Sequence, residues 1–312
     1  MNRVTCLAGG VGAARFLQGL VRVLPEENVT VIVNTGDDIE LHGLRISPDI
    51  DIVTYTLADI VDEEKGWGIK GDTFHCLEFL KRYGYEAWFN LGDMDLATHI
   101  SRTRLLREGL RLSEVTDRHR RALGVKARIL PMTDDRFETY VKTNAGKMHF
   151  QEYLVKRGST DQVLGVCFEG AEEAKPSQGV LESIESSDGI IVCPSNPIVS
   201  IGTILSVGGI REALQEASAR IVGISPIVGG RPVKGPADKL MEGLGLEVSA
   251  HAVADLYKDF LDAFIIDNAD SGECGRIEGL GIDVIATNTV MRSMLDKISL
   301  AEAALKALRM RG

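Results

Sequence analysis

The chain has 312 residues, of which 44% are hydrophobic and 26% charged, and its formal net charge is −10 at pH 7. This length can bury a large core in one or two domains, and the acidic balance argues against nucleic-acid binding, which needs a basic surface. The first residues show no basic region followed by an apolar one, no run reaches 18 apolar residues, and the five cysteines form no Cys-x-x-Cys pair. We therefore expect a cytoplasmic protein without a membrane span.

Apolar runs alternate with amphipathic stretches through most of the chain. The predicted strands are Val4–Ala8, Val29–Asn34, Ala87–Leu91, Ala127–Leu130, Gly189–Cys193, Ile221–Ser225, Ala263–Asp267 and Asp283–Ala286. The predicted helices are Phe16–Leu24, Thr73–Arg82, Leu96–Glu108, Ser113–Ala122, Pro236–Leu244 and Ser299–Met310, the last with Ser299 as a candidate N-cap. This alternation predicts an α/β fold with a doubly wound, mostly parallel, Rossmann-like sheet.

One region departs from this alternation. The runs Thr139–Thr143, Met148–Lys156 and Val163–Val166 predict short antiparallel strands. We therefore expect a small α+β insertion over residues 136–170, carried on a Rossmann-like core of residues 1–135 and 171–312.

A glycine cluster follows the first predicted strand. Gly9, Gly10 and Gly12 precede the first helical run, and this order predicts a phosphate cradle formed by the backbone of Gly10, Val11, Gly12 and Ala13. The pattern is also the start of a dinucleotide fingerprint, but Arg15 stands where a third small residue is expected. A tight turn that binds no ligand is the alternative.

Carboxylates follow the second predicted strand. Asn34 is followed closely by Asp37 and Asp38, and the ends of neighbouring parallel strands meet at one edge of the sheet. Two carboxylates beside a phosphate site would repel the ligand unless a cation lies between them. Asp37 and Asp38 are therefore predicted to bind Mg²⁺, with a solvated Asp turn as the alternative.

A second pair of carboxylates, Asp49 and Asp51, flanks Ile50 after a Ser-Pro dipeptide. In an extended segment both side chains would project to the same side, where they could bind a metal or accept a proton from an attacking hydroxyl. Alternatively, one of them caps a helix that begins near Ile52. The residues alone do not decide between these interpretations.

Two later segments add candidate ligand contacts. Trp88, Phe89, Asn90 and Asp93 follow one another at the end of a predicted strand, where an aromatic ring could stack on a planar ligand. Burial of both rings in the core is the alternative, and His99 is interpreted as structural. The loop after Cys193 offers Ser195, Asn196 and Ser200 to a nucleotide or phosphate, unless it is a plain capped loop. Lys234 and Arg15 are candidate phosphate charges, as is Arg102.

Taken together, these motifs resemble one family, the 2-phospho-L-lactate transferases of coenzyme F420 biosynthesis. The resemblance covers essentially the whole chain. It rests on Gly9–Phe16, Asn34–Asp38, Ser47–Asp51, Tyr55–Leu57, Gly66–Gly68, Trp88–Asp93, Asp95–His99, Pro194–Pro197 and Ser225–Ile227.

The resemblance implies a reaction. The ribityl hydroxyl of a deazaflavin alcohol, Fo, attacks the lactate-bearing phosphorus of lactyl-2-diphospho-5′-guanosine, and GMP leaves. The product is coenzyme F420-0, the reaction requires Mg²⁺, and the enzyme is a homodimer.

The resemblance also implies residue roles. Asp49 and Asp37 would be catalytic, and Asp37 and Asp38 would hold the metal. Fo would contact Asp49, Trp88, Phe89, Asn90 and Asp93. The nucleotide and its phosphates would contact Gly10, Val11, Gly12, Ala13, Asn34, Ser195, Asn196 and Ser200.

Two other functions stay open at this point. A related family of gluconeogenesis factors shares the glycine loop and the loop after Cys193, but its members are non-catalytic regulators that bind nucleotide sugars. The glycine loop alone would also suit a nicotinamide-dependent oxidoreductase. The sequence leaves open whether the activated acid is lactate, enolpyruvate or glycerate.

Overall fold

The computed structural model describes residues 3–310, so residues 1–2 and 311–312 of the predicted core lie outside the described range. Its strands are β1 (Val4–Ala8), β2 (Val29–Val33), β3 (Ile39–Leu41), β4 (Leu44–Ile46), β5 (Arg128–Pro131), β6 (Glu138–Thr143), β7 (Gly146–His149), β8 (Val163–Glu169), β9 (Gly189–Val192), β10 (Arg220–Ile224), β11 (Ile227–Val228), β12 (Arg231–Pro232), β13 (Ala263–Asp267) and β14 (Asp283–Thr287). Seven of them form the central sheet, and β3–β4 and β11–β12 form two small hairpins.

The helices connect these strands and cover the sheet. They are α1 (Gly10–Val23), α2 (Pro48–Leu57), α3 (His75–Arg82), α4 (Asp93–Arg107), α5 (Leu112–Ala122), α6 (Val180–Glu185), α7 (Gly202–Leu205), α8 (Ile210–Gln215), α9 (Ala237–Gly243), α10 (Ala250–Tyr257), α11 (Cys274–Glu278) and α12 (Met294–Arg309). Within residues 3–310, none of the helices combines the length and the apolar character needed to cross a bilayer.

The central sheet has the order β14-β13-β10-β9-β1-β2-β5, and every neighbouring pair in it is parallel. From β1 the chain winds outward through β2 to β5, whereas from β9 it winds the other way through β10, β13 and β14. The direction therefore reverses between β1 and β9. In doubly wound sheets this switch point opens the crevice in which ligands bind.

Both faces of the sheet are buried, which explains why its strands are continuous apolar runs. Leu7 of β1 packs in one core cluster and its neighbour Cys6 packs in the other, and both are fully buried. Helices α1, α2 and α12 pack together, and their apolar side chains belong to the same cluster as Cys6. The predicted doubly wound, mostly parallel fold is confirmed.

The strand predicted over Ala87–Leu91 is wrong, because this stretch is an irregular connection between α3 and α4. Of the apolar side chains in it, Leu91 alone is fully buried, and Trp88 and Phe89 are half-buried. The position beside β2 that such a strand could occupy is taken by β5. Because it pairs with no strand of the sheet, this apolar run is a loop.

Helix boundaries also differ from the prediction at both ends of the chain. Helix α1 begins at Gly10 rather than at Phe16, so the glycine cluster forms its first turn. Helix α12 begins at Met294, and its N-cap is Ser293, whose hydroxyl accepts the backbone N–H of Asp296. Ser299 lies inside that helix and is not its cap. The sequence also contains the capping pair Ser293 and Asp296, about one and a half helical turns before Ser299.

The region 136–170 contains the predicted antiparallel strands, which form a three-stranded sheet with the order β7-β6-β8. The predicted strand Met148–Lys156 is only partly correct, because Glu152–Lys156 forms a short π-helix. This small sheet contacts the second strand of the core at its carboxyl end, where the backbone N–H of Thr139 donates to the carbonyl of Gly36 over 2.8 Å. The insertion therefore lies against the edge of the crevice.

Candidate active site

The first turn of α1 lies at the switch point of the sheet. Gly9 is its extended N-cap, and Gly10 has a φ of +71°, a conformation that favours glycine. A Cβ at Gly12 would lie 2.3 Å from the carbonyl oxygen of Pro194, so the close approach of these two loops requires glycine. The first-turn N–H groups of a helix have no intrahelical partner and attract anions. The predicted cradle is thus a helix N-terminus at the crevice.

The loop after β9 joins this cradle. The hydroxyl of Ser195 accepts the backbone N–H of Gly9 over 3.2 Å, and a Cβ at Gly9 would lie 2.6 Å from Cβ of Ser200. The side chain of Asn196 makes hydrogen bonds within its own loop, where its oxygen accepts the backbone N–H groups of Ile198 and Val199. Ser195 and Ser200 are therefore beside the cradle, and Asn196 holds the turn that places Ser200 there.

Asn34 connects the end of β2 to the start of α2. Its side-chain nitrogen donates to Oδ2 of Asp49 over 2.9 Å and to the carbonyl of Val199 over 3.3 Å. Its side-chain oxygen accepts the backbone N–H of Gly36 over 2.8 Å. Asp49, only 6% exposed, also accepts a hydrogen bond from the backbone of Gly10. One carboxylate is therefore held between the second strand, the second helix and the cradle.

Asp49 and Asp51 are neither in an extended segment nor helix N-caps, so both predicted conformations of this pair are wrong, whereas a role in binding a metal or accepting a proton stays a prediction. Helix α2 begins at Pro48 with Ser47 as its N-cap, and both aspartates lie in its first turns. Residues two apart on a helix point to nearly opposite sides, whereas on a strand they share a side. Asp49 accordingly meets the cradle, and Asp51 pairs with Arg102 of α4.

Burial changes the titration of the carboxylates near the cradle. It raises the pKa of Asp49 to about 7, against hydrogen bonds from Asn34 and Gly10 that favour the charged form. Burial also raises the pKa of Asp37 well above its ordinary value, and the negative charge of Asp49 adds to this effect. Two buried carboxylates so arranged favour either a proton or a cation between them.

Asp37 and Asp38 have different surroundings. Oδ2 of Asp37 accepts Nε2 of Gln151 over 3.4 Å, whereas Oδ2 of Asp38 accepts the hydroxyl of Ser47 over 2.6 Å and lies 3.2 Å from Nη2 of Arg45. The Oδ1 atoms of both aspartates are buried without a hydrogen-bond partner among residues 3–310. Each aspartate therefore keeps one free oxygen, but Asp38 already has a cation beside it.

Gln151 belongs to the insertion and was not predicted as a site residue. Its side chain is 4% exposed and reaches Asp37 across 114 positions of the chain. Thr139, also from the insertion, lies so close that a Cβ at Gly36 would be 2.6 Å from its hydroxyl. No local pattern marks either residue. The insertion thus supplies polar atoms to the turn that carries Asp37.

A buried charged network lies behind α2. The guanidinium of Arg102, only 1% exposed, makes a two-pronged contact with the carboxylate of Asp51. His99 lies with Nε2 3.2 Å from Asp95, and the hydroxyl of Tyr55 donates to Asp95 over 2.7 Å. Arg102 is therefore a structural ion-pair partner, and its suggested contact with phosphate is wrong. His99 is 1% exposed and lies among these charged groups, and its structural role stays a prediction.

The segment that precedes α4 forms a pair of reciprocal helix caps. Asp93 accepts the hydroxyl of Thr73 and the backbone N–H groups of His75 and Cys76, and these bonds, led by that from Thr73, lower its pKa. Asp72 accepts the backbone N–H groups at the start of α4 in return. Asp93 therefore already caps the N-terminus of α3.

The aromatic residues of this segment remain accessible. Trp88 and Phe89 are half-buried, with their rings edge to face at 5.7 Å, and Asn90 is exposed. Among the described residues, no hydrogen bond or ion pair joins Trp88, Phe89 or Asn90 to Asp49. The contact of this segment with a planar ligand stays a prediction.

The sheet and its crevice define a Rossmann-like α/β protein with a helix N-terminus and buried carboxylates at the switch point. The family model described as 2-phospho-L-lactate transferase CofD matches residues 4–288. The chain belongs to this family and is a transferase enzyme with a general role in coenzyme F420 biosynthesis.

Individual relatives carry two different names. A protein of Streptomyces griseus named phosphoenolpyruvate transferase is 46% identical over 310 residues, covering 97% of this chain and 98% of its own length. One of Methanosarcina mazei named 2-phospho-L-lactate transferase is 44% identical over 301 residues, covering 96% and 98%. Among solved structures, a UPF0052 family protein of Bacillus halodurans matches with a TM-score of 0.64 at 16% identity, covering 97% and 98%. At that identity the likeness shows the fold alone.

Proposed function

We propose that this enzyme transfers the 2-phospho-L-lactate group from lactyl-2-diphospho-5′-guanosine to Fo. The terminal ribityl hydroxyl of Fo attacks the phosphorus that carries lactate, and the bond from this phosphorus to the bridging oxygen of GMP breaks. The hydroxyl proton passes to a carboxylate of the enzyme, and GMP leaves with the bridging oxygen. The product is the phosphodiester coenzyme F420-0.

The placement of Asp49 carries this proposal. Its carboxylate lies beside the first turn of α1, where a phosphate would bind, and its pKa is raised to about 7 by burial. A carboxylate in that pKa range can accept a proton from an attacking hydroxyl near neutral pH. Asn34 holds Asp49 in place by a hydrogen bond to Oδ2, which leaves Oδ1 on the side of Gly10. Asp49 is thus the proposed base.

The remaining residues bind and orient the two substrates. We assign the diphosphate to the backbone of Gly10, Val11, Gly12 and Ala13, and the guanosine side to Asn34, Ser195, Asn196 and Ser200. Trp88 and Phe89 would flank the deazaflavin, with Asn90 and Asp93 beside it. The half-buried rings of Trp88 and Phe89 support this assignment, because they offer apolar surface for stacking.

The residues at the crevice suit a magnesium ion. Asp37 is 5% exposed, its Oδ1 has no hydrogen-bond partner within the described residues, and its pKa is raised by burial and by Asp49. Carboxylate oxygens are the protein ligands that Mg²⁺ prefers. Asp37 would hold the ion, with the free Oδ1 of Asp38 as the second candidate ligand. When bound, Mg²⁺ would neutralise charge on the diphosphate.

Family membership alone does not assign the transferred acid, because relatives of similar identity are named for two acids. Phospholactate and phosphoenolpyruvate share the carboxylate and the 2-phospho linkage. The regulatory alternative rests on the glycine loop and the loop after Cys193, whereas the transferase family model matches residues 4–288. Arg15 continues to disfavour a dinucleotide enzyme. The homodimer and the cytoplasmic location stay predictions.

A direct assay tests the transfer. Purified enzyme is incubated with Fo and the guanosine-diphosphate derivatives of lactate, enolpyruvate and glycerate, and products are followed by mass spectrometry. We expect F420-0 and GMP in equal amounts from the lactate donor. A higher rate with the enolpyruvate donor would correct the acid. Absence of product with all three donors, together with no calorimetric binding of Fo, would favour the regulatory alternative.

The metal has its own test. Excess EDTA is expected to abolish transfer, and added Mg²⁺ to restore it, because unshielded carboxylates at the crevice would repel the diphosphate. The Asp37→Asn variant should need a higher Mg²⁺ concentration for half-maximal rate. Full activity in excess chelator would remove Mg²⁺ from the proposal.

A further inference from the structure

A lysine lies beside the cradle on the side away from the carboxylates. Lys234 follows β12, and a Cβ placed at Gly66 would lie 2.9 Å from its Nζ and 3.7 Å from Cγ1 of Val11. Val11 belongs to the first turn of α1, so the ammonium group is close to the free N–H groups of that helix. Lys234 is exposed, and a ligand in the crevice can reach it.

Arg15 provides a second positive charge one helical turn beyond the cradle. It is half-buried, and the hydrogen bond of its guanidinium is a long one, 3.5 Å to the carbonyl of Met291. Arg15 lines the same cavity as Val11 and Gly66, the glycine beside Nζ of Lys234, so the two cations lie on one side of the cradle. Burial, and then the charge of Arg15, lower the pKa of Lys234. Neither side chain makes an ion pair with any residue in the range 3–310.

The carboxylate of Glu63, which lies near Arg15, already has two other partners. Glu63 accepts Nε2 of Gln18 over 2.9 Å and lies 3.6 Å from Nζ of Lys297. Lys297 and Gln18 therefore share its charge, although Arg15 still contributes to lowering its pKa. Two cations close to each other and to a helix N-terminus repel one another unless an anion lies between them. This arrangement favours an anionic ligand between the two cations.

The cradle separates this cationic side from an acidic side. A Cβ at Gly10 would lie 3.9 Å from Oδ1 of Asp49, whereas Val11 faces Gly66 and Lys234. A ligand that places phosphate on the first turn of α1 therefore has carboxylates on one side of it and cations on the other. The metal and the attacking hydroxyl of the proposed reaction belong to the acidic side.

We propose that Lys234 and Arg15 bind the carboxylate of the transferred 2-phospho acid. This inference rests on the proposed function and deepens it, because it assigns the part of the donor that distinguishes it from GDP. In the proposed function, the helix N-terminus and the magnesium ion held by Asp37 bind the diphosphate. The carboxylate of the acid, which is attached one carbon from the ester oxygen, needs a cation of its own. A guanidinium and an ammonium group are the side chains that bind carboxylates most strongly.

The Lys234→Met variant tests the assignment by equilibrium binding. Dissociation constants of the lactate donor and of GDP are measured by calorimetry, which does not depend on turnover. We expect the donor to bind about 10- to 100-fold more weakly, as for loss of a charge-assisted hydrogen bond, and GDP to bind within about twofold of wild type. Lys234→Arg should retain most of the affinity for the donor.

Lys258→Met is the matched control, since it removes the same charge from an exposed side chain that pairs with Asp255. It should leave both constants unchanged. Equal weakening of donor and GDP by Lys234→Met would place the lysine on the diphosphate, and no weakening of either would remove it from the site; both results overturn the inference. If wild type binds the donor but transfers nothing, the proposed function fails while the assignment of Lys234 is still decided.

Discussion

Replacement of Asp49 by asparagine is expected to lower the turnover of transfer by about 10²- to 10⁴-fold, the usual contribution of a general base. The KM values for donor and Fo should change much less. Asparagine has nearly the same shape and can still present an oxygen to Nδ2 of Asn34, so the contact that holds the side chain survives. The loss would therefore report on the carboxylate itself. Initial rates at saturating donor and Fo measure it.

The same variant should not be less stable near pH 8. Because the folded pKa of Asp49 is raised to about 7, its contribution to stability is fully present below the unfolded value near 3.8 and is lost as pH rises through about 7. The neutral amide avoids this loss. We therefore expect the Tm of Asp49→Asn, relative to wild type, to increase between pH 5 and pH 8 in metal-free buffer.

Asp59→Asn is the control, just beyond the end of the same helix. Asp59 lies just past the C-cap of α2, is exposed, and pairs with Arg22. This variant should retain wild-type turnover. If Asp49→Asn also retains it, Asp49 is not the base, and the carboxylate of Asp37 becomes the next group to test.

Most of the central sheet could be predicted from sequence because both of its faces are buried. A strand that must be apolar on both sides gives a continuous run, and Val4–Ala8 and Ala263–Asp267 were predicted to the residue. The same signal failed at Ala87–Leu91, where an apolar run pairs with no strand of the sheet. Whether a short run becomes a strand depends on a neighbour that local sequence does not contain.

The site was partly predictable for a related reason. Parallel strands end at a common edge, so the residues that follow β1, β2 and β9 had to meet, and Gly9, Asn34 and Ser195 do. That Asp49 and Asp51 point to opposite sides follows from their position inside α2, and the sequence did not show where this helix begins. The contact from Gln151 to Asp37 depended on how the insertion folds back, which no periodicity encodes.

The largest effect on stability is expected from Arg102. Replacement by methionine should lower the free energy of unfolding by about 3–5 kcal/mol, the cost of leaving a buried charge without its partner. Arg102 and Asp51 are 1% and 6% exposed, and the two-pronged contact joins α4 to α2. Without the guanidinium, the carboxylate of Asp51 stays buried beside Asp95, and His99 is its remaining close partner among residues 3–310. Urea denaturation followed by circular dichroism measures the change.

Arg104 offers a matched control on the same helix. Its side chain is 78% exposed and pairs with Glu108, so Arg104→Met should change stability by no more than about 0.5 kcal/mol. A double-mutant cycle then separates the ion pair from lost packing. Because Asp51→Leu removes the charge that Arg102→Met leaves unpaired, the double variant should lose less stability than the sum of the two single variants. Additive losses would show that Arg102 stabilises α4 by packing alone. Fo binding by the double variant tests a second role of the ion pair. Unchanged Fo binding would show that the segment of Trp88 and Phe89 is held in place without this ion pair. Weaker Fo binding with unchanged GDP affinity would show that the buried network positions that segment.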